Sequence, residues 1–447
     1  MIHKKFLTLI AIAAIITIAG CTKSDDDDDM VPPPGSTTLQ GTLTENKTLT
    51  ADKKWTLRGY VYVPDNITLT IEPGTVIVSD TSSNVKGALC IERGGKLIAN
   101  GTAEKPIVFT SGASANTRLP GNWGGIVLLG RAKTNRSATP VIEGGLDRPY
   151  GGNDDADNSG SLKYVRIEFA GVAAFAGSEI NGLTLGGVGS GTTIEHVQVS
   201  YGNDDGYEFF GGTVNGKYLI SYACSDDDFD FDFGYRGNIQ YGVVIKDPNT
   251  VDNGDDNNGI ECDNDGGGTN ATPYTHPHLS NFTFVGPNNA SNNSRHKYGN
   301  RWRRSARFSL RNSIIMGYNA GGFVMESDAT VGFYKDGTSE FKNNLVHAIA
   351  NPYLSGSAAV MTSDEVKAKA ESEGCVTYAG ANEIMLKDPF NLGAPDLTPN
   401  AGSPALTGAD FAGMDTFFEK TGTFRGAVGA TNWLAGWTSF TPKANNY

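Results

Sequence analysis

The stretch Asn203–Phe210, with the sequence NDDGYEFF, recurs 22 residues later as Ser225–Asp232, with the sequence SDDDFDFD, and the two align without a gap. Acidic and aromatic residues alternate from Asp228 to Phe233. This is the period of a β-strand, and it predicts three carboxylates on one face and three phenyl rings on the other. A repeat of about 20 to 25 residues is too short for a helical hairpin array and predicts one turn of a β-solenoid. In that register the side chain of Glu208 lies one coil above Asp230.

The composition of the whole chain also favours an all-β solenoid. It has 57 glycines in 447 residues, and short apolar segments are separated by glycine, asparagine and aspartate throughout. We expect roughly ten to twelve coils over residues 39–408, stacked at about 4.8 Å per coil into a rod on the order of 50 Å long. One helix is predicted, because Thr362 and Glu365 form a capping box, a helix-favouring run follows, and Gly374 supplies a stop.

The first residues have the pattern of an export signal. Two lysines precede an apolar run from Phe6 to Ala19, and this run is too short to span a membrane permanently. Residues Ile18–Cys21 resemble a bacterial lipobox, which implies that residues 1–20 are a signal peptide and that Cys21 is lipidated. A soluble secreted protein cleaved near Gly20 is the alternative. Residues 21–38, with five aspartates and three prolines, are expected to form an extended acidic linker.

The charge of the chain argues against nucleic acid as a partner. The formal net charge is −13, and phosphate binding requires a basic face. The four cysteines after Cys21 are widely spaced and contain no CxxC motif, so a metal–thiolate site is not expected. Cys90, Cys224 and Cys262 are interpreted as small core residues, and a bridge between Cys224 and Cys262 is the alternative.

Four strings carry a family resemblance: LTIEPGTVI at 69–77, GGKLIANGT at 94–102, PIVFTS at 106–111 and NWGGIVLLG at 122–130. They resemble the right-handed parallel β-helix, pectate-lyase-like lipoproteins of Bacteroidota, and the likeness covers most of residues 50 to 435. It implies a single-stranded right-handed parallel β-helix on a lipid-anchored protein exposed at the outer-membrane surface. It also implies association with TonB-dependent receptors that take up glycans or peptides.

Residues 409–447 are predicted to close the solenoid. Gly402–Leu406 looks like the turn that ends such helices, and a dense set of aromatics follows it. These aromatics are interpreted as an end cap over the last open coil. A sugar-binding platform is the alternative. The aromatic residues on which this prediction rests are Phe417, Phe418, Phe424, Trp433 and Trp437.

The acidic repeat predicts the candidate site. At about 5 Å and an effective dielectric near 20, two stacked carboxylates repel by about 3 kcal/mol. Raised pKa values, a bound Ca²⁺ or nearby arginines could offset this repulsion. Residues 266–312 contain no acid and seven basic residues, so arginines are available. The candidate Ca²⁺ ligands are Glu208, Asp226, Asp228, Asp230, Asp232 and Glu261. The candidate ligand-binding residues are Asp204, Asp205, Arg236, Arg301, Arg303 and Arg304.

No motif fixes a catalytic mechanism. β-helix polysaccharide lyases generally combine calcium-binding acids with a basic residue that removes a proton, and β-helix hydrolases use an acidic pair. Arg236 or an arginine at 301–307 is the candidate base. His276 and His278 lack a third metal ligand in the sequence and are interpreted as a loop pair. We therefore expect a surface-anchored binding or accessory module. A calcium-dependent polysaccharide lyase or glycoside hydrolase is the alternative, and a structural surface stalk is the third possibility.

Overall fold

The computed structural model describes residues 35–82, 86–136, 139–175, 178–252, 254, 256–289 and 295–447. The predicted signal peptide, the lipidation site Cys21 and most of the predicted linker lie outside these residues. Among the described residues no helix is both long enough and apolar enough to cross a bilayer.

Short β-strands are the main regular secondary structure of the described chain, and their bounds are as follows. They are β1 (Thr38–Thr42), β2 (Lys47–Leu49), β3 (Lys54–Val63), β4 (Thr68–Ile71), β5 (Val76–Ser79), β6 (Leu89–Ile91), β7 (Lys96–Asn100), β8 (Ile107–Thr110), β9 (Ile126–Leu129), β10 (Gly160–Glu168), β11 (Val172–Phe175), β12 (Ser178–Ile180), β13 (Leu183–Gly186), β14 (Thr193–Ser200), β15 (Tyr207–Phe210), β16 (Asn215–Tyr222), β17 (Phe229–Asp232), β18 (Asn238–Ile245), β19 (Ile260–Cys262), β20 (His278–Ser280), β21 (Thr283–Val285), β22 (Tyr298–Trp302), β23 (Ser309–Arg311), β24 (Ile314–Tyr318), β25 (Gly321–Met325), β26 (Glu340–Lys342), β27 (Leu345–Ala348), β28 (Asn351–Ser355), β29 (Val376–Thr377), β30 (Leu386–Asp388) and β31 (Asp396–Pro399). Helices α1 (Asp328–Lys335) and α2 (Ser363–Ser372) and 3₁₀ turns at Ala381–Ile384, Pro404–Leu406 and Pro442–Ala444 complete the elements.

Parallel pairing arranges the strands in three columns. Column A contains β5, β8, β21, β24, β27, β29 and parts of β1, β3, β10, β14, β16 and β18. Column B contains β6, β9, β13, β15, β17, β19, β22, β25, β28 and the ends of β1 and β3. Column C contains β2, β4, β7, β20, β23, β26 and the beginnings of β10, β14, β16 and β18. The predicted single-stranded right-handed parallel β-helix is confirmed, and these described columns agree with the predicted number of coils.

The interior of the helix is a continuous stack of apolar side chains. Alternating strand residues point inward, so equivalent residues of successive coils meet. The rings of Tyr207 and Phe229 stack at 4.8 Å, and those of Phe209 and Phe231 lie 5.0 Å apart. These contacts occur between the two copies of the repeat, so the aromatic half of each copy builds the core.

The ends of the helix are closed differently from our prediction. Helix α2 supplies Val366 and Ala370 to the main core, next to the last coil, and the predicted capping box at its start is present. The C-terminal segment instead covers the outside of the helix. Its first part lies over column C, where Glu419 contacts Lys217 and Gln240, and its later part lies over column A, where Val243 and Ile314 would otherwise be exposed. The aromatic segment is therefore a side cover, because this column is apolar on its outer face as well.

A second outer cover lies over the early coils of column B. Ile142, Leu146 and Tyr150 pack on outward apolar residues that include Cys90 and Val127. The loop that contains these residues, together with the β11–β12 hairpin, ends beside the next coils of the same column. Those coils carry the acidic residues.

Candidate metal-binding site

The candidate site lies on the outer face of column B. Strand pairing places Thr184, Glu208, Asp230, Glu261 and Arg301 at one register position in successive coils. The predicted stacking of Glu208 above Asp230 is confirmed. Five adjacent coils thus present a hydroxyl, three carboxylates and a guanidinium along one line.

A ladder of side chains fixes the turn that precedes these strands. Asn181 Oδ1 accepts a hydrogen bond from the backbone N–H of Asp205 at 3.1 Å, and Asp205 Oδ1 accepts one from Asp227 at 3.0 Å. Asp227 Oδ1 then accepts one from the N–H of Asn258 at 2.5 Å. All four side chains are buried. The ladder orients each acidic turn from the coil beside it, so the carboxylates are held in place before any ligand binds.

The first part of the site, which we call the acid-only half, consists of Asp204, Asp205, Glu208, Asp226 and Asp230. Carboxylate oxygens of Asp205, Glu208 and Asp230 lie within 4.8 Å of one another, and those of Asp204, Asp205 and Asp226 do so as well. Oδ1 of Asp230 is buried and has no hydrogen-bond partner. In the part of the chain that the structure describes, no lysine or arginine forms an ion pair with Asp204, Asp205, Glu208 or Asp230.

Two further acids approach the acid-only half from the outer cover. Glu143 lies in the covering loop and hydrogen-bonds with Glu208, and Glu179 lies in strand β12. Burial, together with the charge of Glu179, raises the pKa of Glu143 to about 7. Burial and then the neighbouring carboxylates raise the pKa values of Asp205, Glu208 and Asp230 well above their ordinary range. These acids would share protons or bind a cation, since so many close negative charges are costly.

The second part of the site, the arginine-paired half, consists of Glu261 and Asp263 with Arg301, Arg303 and Arg304. Arg301 Nη1 lies 3.2 Å from Glu261, and Arg303 contacts both acids, with its Nε 2.8 Å from Asp263. Arg304 Nη1 lies 2.7 Å from Asp263. Arg301 also pairs with Glu326 at 3.0 Å. These arginines are therefore engaged with acids of the same chain.

Two predicted site residues, Asp228 and Arg236, lie elsewhere than expected, whereas Asp232 follows Asp230 on the acidic face and has Asp263 as a charged neighbour. Asp228 is fully buried, accepts a hydrogen bond from Ser221 Oγ at 2.5 Å and pairs with Lys246 Nζ at 2.9 Å. It precedes strand β17, which begins at Phe229, so the predicted alternation does not extend to it. Asp232 accepts a hydrogen bond from the N–H of Phe233 at 2.5 Å. Arg236 pairs with Asp155 at 2.7 Å, outside both halves.

The predicted face of three rings is also shorter than expected. Phe229 and Phe231 are buried in the core, but Phe233 has a positive φ of 49° and stacks on Phe210 on the outer side. The left-handed backbone after Asp232 ends the strand period, so two carboxylates and two rings alternate within β17.

Sequence reasoning missed Asn181, Glu143 and Glu179. A signal for Asn181 was present, because Asn181-Gly182, Asp205-Gly206 and Asn258-Gly259 recur in the same turn of different coils. No local pattern could place Glu143 or Glu179, because both reach the site from covering segments that are inserted between coils.

The remaining candidate ligands form no additional site. Cys224 and Cys262 are unpaired buried thiols, so the alternative of a bridge between them is wrong. The rings of His276 and His278 lie 4.3 Å apart. Within the described ranges neither histidine belongs to a group of three metal-ligating side chains. The interpretation as a loop pair is therefore correct only for His276, because His278 begins strand β20.

Comparison with known proteins identifies the family. A family model described as a pectate-lyase like beta helix domain matches residues 41–385. This is most of the chain and spans the three columns, so the protein belongs to this family. No curated protein and no solved structure matches the chain.

Proposed function

We propose that the protein is a binding module whose acid-only half holds a Ca²⁺ ion and presents it to an anionic ligand. The observation that carries this proposal is the buried, unpartnered Oδ1 of Asp230, which belongs to a group of carboxylates within 4.8 Å of one another. Such an oxygen loses its hydrogen bonds with water unless a cation or a proton replaces them.

The chemistry of the donors favours Ca²⁺ among common cations. All candidate ligands are oxygens, and Ca²⁺ accepts about six to eight oxygen ligands in flexible geometry. Asp205, Glu208 and Asp230 are the central ligands, with Asp204 and Asp226 beside them. Binding would neutralise the mutual repulsion that raises their pKa values.

The ion would keep positions open for a ligand. Asp204, Asp226 and Asp230 are half-buried rather than enclosed, so water or an incoming oxygen can reach this side of the cluster. An anionic group, such as the carboxylate of an acidic glycan or peptide, would complete the coordination sphere. The acids alone would repel such a ligand, so the ion is the attractive element.

Binding is preferred to lyase chemistry because, among the described residues, four of the arginines named as candidate bases already pair with acids. Arg301, Arg303 and Arg304 are paired with acids, and Arg236 pairs with Asp155. A base must be able to accept a proton from substrate, and a guanidinium held by carboxylates is poorly suited to this. An activity assay therefore has to distinguish a binding module from a lyase or a hydrolase.

Calorimetric titration of Ca²⁺ into residues 35–447, prepared free of metal, tests the site. The wild-type chain should bind one ion, and Asp230→Asn should bind at least about tenfold more weakly. Glu261→Gln is the matched control, because Glu261 occupies the same register position one coil away and already contacts arginines. Unchanged binding in Asp230→Asn would contradict the proposal. Release of unsaturated sugars from an acidic polysaccharide, followed by absorbance, would favour the lyase.

Location at the outer-membrane surface is a separate part of the proposal. It is supported by the lipobox-like residues Ile18–Cys21, the acidic segment after them and the family resemblance. Replacing Cys21 by Ala should release the protein from the membrane fraction, and protease added to intact cells should remove the wild-type protein. Protection until the cells are lysed would argue against surface exposure. Recovery of a TonB-dependent receptor with the lipidated protein would support a role in uptake.

A further inference from the structure

A second concave site lies on column C, away from the acidic residues of column B. We call it the C-terminal groove. It has a volume of about 480 Å³, and its floor is formed by Asn238, His278, Ser309 and Glu340. The C-terminal segment forms the opposite wall with Met414, Asp415 and Phe418, and Arg236 and Arg311 lie at the sides.

The residues on the floor of the groove occupy the same position in successive coils. Asn238 is paired with His278, His278 with Ser309, and Ser309 with Glu340, in strands β18, β20, β23 and β26. Successive coils are about 4.8 Å apart, so the groove offers a polar side chain at each step along the helix axis. A ligand built from repeating units of similar length would meet an equivalent position in each coil.

Both cationic side chains in the groove are already neutralised. Arg311 pairs with Glu340 and also donates to the carbonyl oxygen of Ala412 at 2.9 Å. Arg236 pairs with Asp155 at 2.7 Å and donates to the carbonyl oxygen of Gly234 at 3.1 Å. Asp415 adds a further carboxylate to the wall. An anionic ligand would therefore find no unneutralised positive charge here and one additional negative charge.

The other polar groups offer both donors and acceptors. Burial lowers the pKa of His278, so its neutral ring provides one N–H and one acceptor nitrogen at neutral pH. The amide nitrogen of Asn238 donates to Asn215 Oδ1 at 3.0 Å, which leaves its carbonyl oxygen to accept. Ser309 contributes a hydroxyl that contacts Glu340 at 3.3 Å. A hydroxyl group can satisfy either kind of partner, because it donates and accepts.

We propose that the C-terminal groove binds a short neutral oligosaccharide. Hydroxyl groups match the mixed donors and acceptors of the floor, the half-buried Met414 can pack against the apolar face of a sugar ring, and the balanced charges disfavour acidic sugars. This function is independent of the proposed Ca²⁺ site. It would give the protein two recognition surfaces, one for an anionic group and one for neutral sugar units.

Ligand-observed NMR with residues 35–447 tests this inference. The probes are the neutral trisaccharides cellotriose, maltotriose, mannotriose and xylotriose, with trigalacturonate as the anionic counterpart. At least one neutral probe should bind, and its affinity should be the same with and without a calcium chelator. His278→Phe and Asp415→Leu should each weaken binding at least about tenfold. The second variant lies on the exposed C-terminal wall, so folding of the coils does not depend on it.

Ser161→Ala is the control variant, because Ser161 lies on column C in strand β10, far from the groove in chain order. It should bind the neutral probe as the wild-type chain does. Three results would overturn the inference: no neutral probe binds, trigalacturonate alone binds, or both groove variants bind as tightly as wild type. Loss of calcium binding in Asp230→Asn with retained sugar binding would leave the inference intact, so its failure is distinguishable from that of the Ca²⁺ site.

Discussion

The acid-only half and the arginine-paired half occupy one face of the same column, yet their charges are balanced differently. Asp230 and Glu261 are register neighbours, and the next coil beyond Glu261 supplies Arg301. The coil before Glu208 supplies only Thr184. In a parallel β-helix the neighbours of a charged side chain are the residues at the same position of the adjacent coils. Two similar acidic strands therefore differ in charge balance when the coils next to them differ.

This difference changes how the charge of the sequence is interpreted. The acidic segment and the basic segment after it suggest that the acids are neutralised throughout, but among the described residues the basic segment pairs only with Asp256, Glu261 and Asp263 of the acidic segment. The acids of the earlier coils retain raised pKa values. They form the part of the face that is suited to a cation.

Removing an arginine from the arginine-paired half should have the largest effect. Arg303→Met would leave Glu261 and Asp263, which are nearly buried, short of a partner. Breaking a buried ion pair in this way costs about 3 to 5 kcal/mol, and chemical denaturation should show a loss of that order.

Arg304→Met is the matched control for that variant. Arg304 contacts the same Asp263, but its side chain is 44% exposed, so the loss should be under about 1 kcal/mol. If the two variants lose equal amounts of unfolding free energy, burial does not determine the strength of these ion pairs. The proposed difference between the two halves would then be wrong.

The carboxyl groups of the acid-only half should make the fold more stable at low pH, whereas surface carboxylates that form ion pairs make it less stable there. A carboxyl whose folded pKa is raised stabilises the fold below its unfolded pKa, and this contribution is lost as the pH rises through the folded value. Glu143 has a pKa of about 7, and those of Asp205 and Glu208 are also raised. Metal-free protein should therefore lose stability between about pH 5 and about pH 8, by roughly 2 kcal/mol.

Thermal unfolding across this pH range, with and without Ca²⁺, measures the effect. Glu340, which is paired with Arg311, has a lowered pKa, so its contribution is lost only as the pH falls below that window. Saturating Ca²⁺ should reduce or reverse the loss at high pH, since ion binding needs deprotonated ligands. Metal-free protein that becomes more stable from pH 5 to pH 8 would contradict this account.

Salt should give the smallest effect. In metal-free protein, raising NaCl from about 0.05 M to about 0.5 M screens repulsion among the partly exposed acids and should raise Tm by about 1 to 2 °C. With Ca²⁺ bound, the repulsion is already offset, so the rise should disappear. A fall in Tm in both states would indicate that screened ion pairs, rather than repulsion, dominate the face.

The sequence predicted which residues stack in the site, but not which residues the site includes. The 22-residue repeat correctly stacked Glu208 on Asp230, because equivalent positions of a solenoid meet by construction. It placed Asp228 on the wrong side, because alternation holds only within a strand and Asp228 lies in the turn before one. Glu143 and Glu179 could not be placed, since their position depends on how the outer cover packs.

Among the helices and the outer covers, too, features with a local sequence signal were predicted and features set by long-range packing were not. Helix α2 was predicted because its capping box is a local signal. Helix α1 was missed, and its N-cap residue Ser327 has a positive φ of 70° and makes no side-chain capping bond. The aromatic C-terminal segment was recognised as a cover, but its position along column A depends on outward apolar residues such as Val243, which look like core residues in the sequence.

The central claim is that a cation binds in the acid-only half and not in the arginine-paired half. Crystals of residues 35–447 grown with Tb³⁺ in place of Ca²⁺ would locate the ion through its anomalous scattering. We predict one strong peak about 2.3 to 2.6 Å from carboxylate oxygens of Asp205, Glu208 and Asp230. A peak at Glu261 and Asp263, or no peak on this face of column B, would contradict it.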